Sequence, residues 1–164
     1  MSPVATLSEP RRAEAFAAKE LGLPTPHDRP AADVVIFDGK CGFCREQVRR
    51  LSRWDNGQRL AYLSVHDPLT LERYPELTFE QLMDQMYVVD GRGRAHGGAD
   101  AIRYLTRRLP QLWWAAPVLH APFMMPAWRW GYRQVAKRRY EISRRMGGGA
   151  ANCDSGSCEL HFKS

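Results

Sequence analysis

Four cysteines are the residues of this 164-residue sequence best suited to chemistry, and they fall into two close pairs. The first pair forms the motif Cys41-Gly42-Phe43-Cys44, with Asp38 three residues before it. Two thiols one helical turn apart can exchange a disulfide, because the first attacks the substrate and the second resolves the mixed disulfide. The motif therefore predicts thiol-disulfide exchange, with Cys41 as the attacking thiol and Cys44 as the resolving thiol.

The position of the motif at the start of a predicted helix would activate Cys41. Unpaired backbone N–H groups and the positive end of the helix dipole stabilise a thiolate over a thiol. In C-x-x-C motifs the first cysteine has a pKa of roughly 3.5 to 7.5, against about 8.5 for a free cysteine. Lys40 and Arg45 add positive charge on both sides. We expect a useful fraction of Cys41 to be thiolate at neutral pH.

Asp38 has two interpretations. Its carboxylate could act through a water molecule as the base for Cys44. Alternatively, it hydrogen-bonds its own backbone and shapes the Asp-Gly turn, as aspartate commonly does. Asp38 joins Cys41 and Cys44 as a candidate catalytic residue.

The elements around the motif follow the order βαβαββα, which predicts an α/β fold. The apolar run 33–37 predicts a buried strand that leads into the motif, and apolar residues at helical intervals predict a helix from Gly42 to about Trp54. There follow a strand over 60–65, parallel to the first, a helical stretch over 70–83 broken near Pro75, a hairpin of 86–89 with 94–96, and a helix over 100–109. This order is thioredoxin-like, with the redox motif where the first strand meets its helix.

Residues 38–44, Asp-Gly-Lys-Cys-Gly-Phe-Cys, resemble the signature of the DCC family of predicted thiol-disulfide oxidoreductases, also called DUF393. Asp90-Gly91, Gly98-Ala99-Asp100-Ala101, and Tyr132 with Ala136-Lys137-Arg138-Arg139-Tyr140 look like later segments of that family, so the likeness covers about residues 33–145. The resemblance implies a thioredoxin-like fold and a redox-active Cys41–Cys44 pair, with Asp38 as the third signature residue. Unlike thioredoxins, the chain has no proline at 83–85, before the third strand.

The chain divides into four predicted parts. Residues 1–32 form an N-terminal tail, partly disordered, and residues 33–110 form the thioredoxin-like core. Residues 111–146 form an apolar and basic helical extension, and residues 147–164 form a Gly-rich tail that carries Cys153 and Cys158. We expect the Trp-rich part of the extension to form short helices packed over the core, the alternatives being an interfacial membrane contact or a partner groove.

The net charge of +6 is concentrated in one run near the end of the extension. The run predicts a basic helix over about 127–145, and we interpret it as a solvated helix face. Contact with nucleic acid, with an anionic membrane surface or with an acidic partner is the alternative, and no specific nucleic acid is predicted. The basic residues are Arg129, Arg133, Lys137, Arg138, Arg139, Arg144 and Arg145.

The second cysteine pair, Cys153 and Cys158, has three interpretations: an exposed tail without a role, a relay to Cys44, or half of a metal site. The rival function is a structural zinc-binding module that uses Cys41, Cys44, Cys153 and Cys158. The two pairs are 108 residues apart and the first follows a buried strand, which is untypical of zinc ribbons. The five histidines have no ligand spacing, so no metal and no cofactor are expected.

The N-terminal residues lack the apolar segment of a secretory signal, which predicts a cytoplasmic protein. In a reducing compartment such a pair is kept mainly as a dithiol. We therefore expect a disulfide reductase that acts on proteins or small molecules and is itself reduced again by a cellular dithiol reductant.

Overall fold

The computed structural model describes residues 17–121 and 123–145. The elements, in chain order, are α1 (Ala17–Glu20), β1 (Asp33–Phe37), α2 (Gly42–Trp54), β2 (Leu60–Ser64), α3 (Pro68–Arg73), α4 (Phe79–Asp84), β3 (Tyr87–Val89), β4 (Ala95–Gly97), α5 (Gly98–Arg108), a 3-10 helix (Pro110–Ala115), α6 (Ala116–Leu119) and α7 (Met125–Arg145).

The four strands form one mixed sheet in the order β2-β1-β3-β4. Strand β1 pairs in parallel with β2 and antiparallel with β3, and β4 closes the hairpin with β3. The parallel pair requires a crossover connection, which α2 supplies. The predicted thioredoxin-like fold with a helical C-terminal extension is thus confirmed.

Strand β1 is the centre of the core and the base on which the cysteine motif stands. Every residue of β1 and of its neighbour β2 is buried. Side chains alternate between the two faces of the sheet: Val35 and Phe37 join one apolar cluster, whereas Val34 and Ile36 join the other. Because both faces are covered, the position of the residues that follow Phe37 is fixed by packing.

Local signals account for most element boundaries. Strand β1 and helix α2 have the predicted bounds. The helical stretch predicted over 70–83 is two helices, because Asp67 caps α3 and Thr78 starts α4 with a capping box.

A buried carboxylate at the start of β1 joins the sheet to the hairpin and to α5. Asp33 is fully buried and accepts hydrogen bonds from the Gly91 N–H at 3.1 Å and Tyr104 Oη at 3.0 Å. Its second oxygen also lies 2.6 Å from Arg108 Nε. This cluster lies at the end of β1 opposite to the cysteine motif, so it serves below as a structural reference.

The described part of the predicted N-terminal tail packs on the core. Ala18 and Leu23 belong to the apolar cluster that contains Val35 and Phe37. Gly22 ends the α1 turn with a φ of +66°, and the Leu23 N–H donates to the Ala18 carbonyl, as in a Schellman motif.

The helical extension differs from its prediction in one respect. Its helices are short before α7, as expected, and α7 packs against α2 and α5. However, Trp113, Trp114 and Trp130 are all more than half exposed, so the prediction that the Trp-rich segment packs over the core is wrong for these side chains. Within residues 17–121 and 123–145, no helix is both long and apolar enough to cross a membrane.

Candidate active site

The cysteine motif begins where β1 ends. Asp38-Gly39-Lys40 form a turn in which the Cys41 N–H donates to the Asp38 carbonyl over 3.3 Å. Cys41 has extended backbone angles, φ −84° and ψ 114°, and is the N-cap of α2. Its carbonyl accepts a helical hydrogen bond from the Arg45 N–H at 2.9 Å. Cys41 therefore lies at a helix N-terminus, as the sequence predicted.

The two free thiols of the motif share a hydrogen bond. This bond from Cys44 lowers the pKa of Cys41, and although burial acts in the opposite direction, the net pKa is below that of an ordinary cysteine. The backbone N–H of Cys44 and the charge of Arg139 lower it further, whereas Asp38 raises it. The same thiol-thiol bond, together with burial and the Cys41 charge, raises the pKa of Cys44. Of the two thiols, Cys41 is therefore the one that ionises more readily.

The two residues differ in exposure. Cys41 is 1% exposed, whereas Cys44 is partly exposed. Helix α7 packs against α2, and its residues Arg139 and Tyr140 lie within electrostatic range of Cys41. A substrate can reach the Cys41 sulfur only after the residues that cover it have moved.

Asp38 is a buried carboxylate with partners from three parts of the chain: its own turn, the turn after β2, and α7. It is 2% exposed, and Oδ1 accepts hydrogen bonds from the Lys40 N–H at 3.0 Å and from His66 Nε2 at 3.1 Å. Oδ2 accepts a bond of 2.7 Å from Tyr140 Oη on α7 and lies 3.9 Å from Arg139 Nη2. Burial alone would raise the pKa of Asp38, but these partners outweigh it and the pKa is lowered. The turn-shaping bond to Lys40 is present, and it is one of several.

Arg139 is the main residue of the site that the sequence interpretation missed. It belongs to the run predicted as a solvated helix face, but it is 5% exposed, whereas Lys137 and Arg138 beside it are exposed. The solvated-face interpretation is therefore wrong for Arg139. A buried guanidinium requires an anionic partner. Asp38 supplies one, with Oδ2 3.9 Å from Arg139 Nη2.

Helix α7 also holds the segment before β3, where thioredoxins place a proline. The Arg139 guanidinium donates to the Met83 carbonyl, and the Met86 N–H donates to Tyr132 Oη at 3.1 Å. No peptide bond among the described residues is cis. Side chains of α7 thus bind backbone groups on both sides of residues 84–85.

His66 reaches the same carboxylate from the neighbouring strand, although the sequence interpretation assigned no role to any histidine. Phe37 of β1 is in register with Ser64 of β2, so the residues that follow the two strands share one edge of the sheet. The His66 side chain is 10% exposed and its ring contacts Phe79 edge to face, with centroids 5.9 Å apart. His66 thus joins the end of β2 to the Asp38 cluster.

Cys41, Cys44 and Asp38, the three residues predicted for the site, are neighbours in the structure, because Asp38 and the other cysteine both act on the pKa of each thiol. Cys153 and Cys158, as well as the predicted tail over 147–164, lie outside the described residues. Among the residues that the structure does describe, no group of three or more His, Cys, Asp or Glu side chains could hold a metal ion. The zinc alternative gains no support from these residues.

Comparison with known proteins gives one match. A family model described as DCC1-like thiol-disulfide oxidoreductase matches residues 35–145, which is more than half of the chain. The match includes the cysteine motif and α7 with Arg139 and Tyr140. No curated protein and no solved structure gives a significant match.

Proposed function

The chain belongs to the DCC1-like thiol-disulfide oxidoreductase family, and we propose that it reduces disulfides of proteins or small molecules by exchange at Cys41 and Cys44. One observation carries the proposal. Cys41 lies at the N-terminus of α2 with its pKa lowered, and the Cys44 thiol is hydrogen-bonded to it. This arrangement provides a nucleophile and a resolving group in one helical turn.

The exchange proceeds in two displacements. The Cys41 thiolate attacks one substrate sulfur, the substrate S–S bond breaks, and the released substrate thiolate takes a proton from solvent. The Cys44 thiol then loses its proton to solvent and attacks the Cys41 sulfur of the mixed disulfide, and the second substrate thiolate leaves and takes a proton from solvent. The substrate gains two electrons and two protons, and the Cys41–Cys44 pair becomes a disulfide. A cellular dithiol returns the pair to its reduced form.

Arg139 and Asp38 act on the thiols electrostatically. The Arg139 charge lowers the pKa of both cysteines, whereas the Asp38 charge raises both. Because the pKa of Asp38 is itself lowered, its carboxylate is a weak proton acceptor, which disfavours a role as general base. We assign Asp38 a positioning role: it fixes Arg139, His66 and Tyr140 around the motif.

The direct test is trapping of the mixed disulfide. The reduced full chain and its Cys41→Ser and Cys44→Ser variants are mixed with a protein disulfide and with a small aromatic disulfide. We expect turnover of both substrates by the wild type and none by either variant. Cys44→Ser should accumulate a stable mixed disulfide through Cys41, whereas Cys41→Ser should accumulate much less.

The opposite trapping pattern would assign the attack to Cys44, the more exposed thiol, and contradict the order of steps. Full turnover by Cys41→Ser would contradict the proposed function as a whole. A Cys153→Ser and Cys158→Ser double variant is the control for a contribution from the second cysteine pair.

A further inference from the structure

One stretch of the extension leaves large apolar side chains in solvent. Trp114 is 79% exposed and Phe123 is 97% exposed. With their exposed neighbours they form what we call the aromatic surface: Trp113, Trp114, Val118, Phe123, Met124 and Trp130. Monomeric proteins rarely leave so many large apolar side chains exposed close together in the chain, and such patches mark interaction sites.

The aromatic surface is built on connected elements. It starts in the 3-10 helix, continues through α6 and ends in the first turns of α7. The 3-10 helix packs on α5 and α6, and Trp128 Nε1 donates to the Val118 carbonyl at 3.4 Å, which joins α7 to α6. These contacts hold the exposed side chains in one region of the molecule.

Positive charge continues from the aromatic surface along α7. Glu141 is the only acidic residue between positions 109 and 145. The exposed basic residues of the helix beyond Trp130 are Arg133, Lys137, Arg138, Arg144 and Arg145. Arg139, which faces the cysteine motif, is excluded because it is buried.

We propose that the aromatic surface and the exposed basic residues of α7 bind the surface of an anionic lipid bilayer. Tryptophan side chains favour the bilayer interface, apolar neighbours such as Phe123 and Met124 enter the acyl boundary, and lysine and arginine attract anionic headgroups. Binding is peripheral, because no helix among the described residues can cross a membrane.

Two other occupants fit the surface less well. A second copy of the chain would bring two basic helices close together. Each helix has only one acidic residue, Glu141, so the two helices would repel each other. A nucleic acid would engage the basic residues and could stack on the aromatic side chains, but it would give no favourable contact to the aliphatic side chains of Val118 and Met124.

This inference does not depend on the proposed redox function, and its test does not use activity. The full chain is mixed with vesicles of phosphatidylcholine alone, or of phosphatidylcholine with phosphatidylglycerol, at low and at high salt. Binding is measured by co-sedimentation, and tryptophan emission reports insertion. We expect binding only to the anionic vesicles, weaker binding at high salt and a blue shift of the emission.

Two double variants locate the binding surface. Trp113→Ser with Trp114→Ser removes apolar anchors, and Arg133→Glu with Lys137→Glu reverses charge. Each should weaken vesicle binding. The charge reversal should do so by about 25-fold or more, because each basic residue near an anionic membrane contributes about fivefold.

Matched controls lie on α2, outside the proposed surface. Trp54→Ser removes another exposed tryptophan, and Arg49→Glu with Arg53→Glu repeats the charge change at the same helical spacing. Both controls should bind like the wild type.

Absence of binding to anionic vesicles would overturn the proposal, as would equal loss in the α2 controls. Oligonucleotide binding or a dimer that the same two double variants abolish, without vesicle binding, would reassign the surface to nucleic acid or to a second copy.

Discussion

Tyr140 Oη donates a hydrogen bond of 2.7 Å to Asp38 Oδ2, and this bond joins the C-terminal helix to the residue that starts the cysteine motif. The two residues are 102 positions apart in the chain. Arg139 precedes Tyr140 and lies 3.9 Å from the same carboxylate oxygen. Helix α7 therefore contributes to the candidate active site rather than forming a separate appendage.

Arg139→Gln should raise the pKa of the Cys41 thiol. The substitution removes the charge that favours the thiolate and leaves the unfavourable Asp38 charge in place. Because Arg139 is one of several causes that lower this pKa, the prediction is the upward direction of the shift. The pKa is measured from thiolate absorbance or from the rate of alkylation against pH. Arg138→Gln changes net charge equally on an exposed neighbour and should leave the titration unchanged. Equal shifts in the two variants would rule out a specific role for Arg139.

Tyr140→Phe should destabilise the fold and also perturb the thiols. Loss of a hydrogen bond to a buried carboxylate costs about 1.5–3 kcal/mol of unfolding free energy. Tyr104→Phe is the matched control, because Tyr104 Oη donates to buried Asp33 at 3.0 Å on the opposite end of β1. Denaturant unfolding should show a similar cost for both variants, whereas only Tyr140→Phe should change the pKa of Cys41, because only Tyr140 contacts Asp38 beside the motif. If Tyr140→Phe leaves the thiol titration unaltered, the hydrogen bond between Tyr140 and Asp38 has only a structural role.

Asp38 should make stability depend on acid pH. The pKa of its carboxyl is lowered in the folded protein, so its contribution is fully present above the unfolded value of about 3.9 and is lost as the pH falls below it. On acidification from neutral pH, the unfolding free energy of Asp38→Asn should therefore fall by less than that of the wild type. Asp90, whose pKa is also lowered, leaves part of the acid dependence in the variant. Identical pH-stability curves for wild type and variant would contradict this assignment.

Gly98→Ala should loosen the contact of α7 with the start of α5. Gly98 has a φ of +54°, and a Cβ there would lie 2.4 Å from Gln85 Oε1 and 3.1 Å from the Tyr132 ring of α7. We expect a cost of about 1–3 kcal/mol in unfolding free energy and faster alkylation of Cys41. Gly91→Ala is the control, because a Cβ added at Gly91 would meet no other part of the molecule within 4 Å. It should change neither the unfolding free energy nor the alkylation rate. Unchanged alkylation with a clear stability loss would mean that α7 does not control access.

Much of the fold and the location of the site could be predicted, because the signals are local. The apolar run 33–37 and the periodicity after Gly42 predict β1 and α2 with their observed bounds. These two predicted elements are enough to place the cysteine motif at a helix N-terminus. His66 was missed, although the parallel register that places Phe37 opposite Ser64 also brings it to the Asp38 edge of the sheet.

Arg139 could not be separated from its basic neighbours by charge alone. Whether an arginine is buried depends on an anionic partner, and here the partner is a carboxylate distant in sequence. One weak signal exists: Tyr132, Ala136, Arg139 and Tyr140 recur at helical spacing and mark the inner face of α7. The Trp-rich segment was predicted to pack over the core because its composition is apolar. Composition alone, however, does not determine which of its side chains are buried against another helix or strand.

The most direct test of the redox assignment is a glutathione redox titration of the full chain, with alkylation and mass spectrometry to identify the paired cysteines at each potential. We predict a reversible Cys41–Cys44 disulfide with a potential of about −270 to −120 mV, the range of thioredoxin-fold enzymes. Thiols of Cys41 and Cys44 that never pair, or that resist alkylation until a chelator is added, would contradict the account.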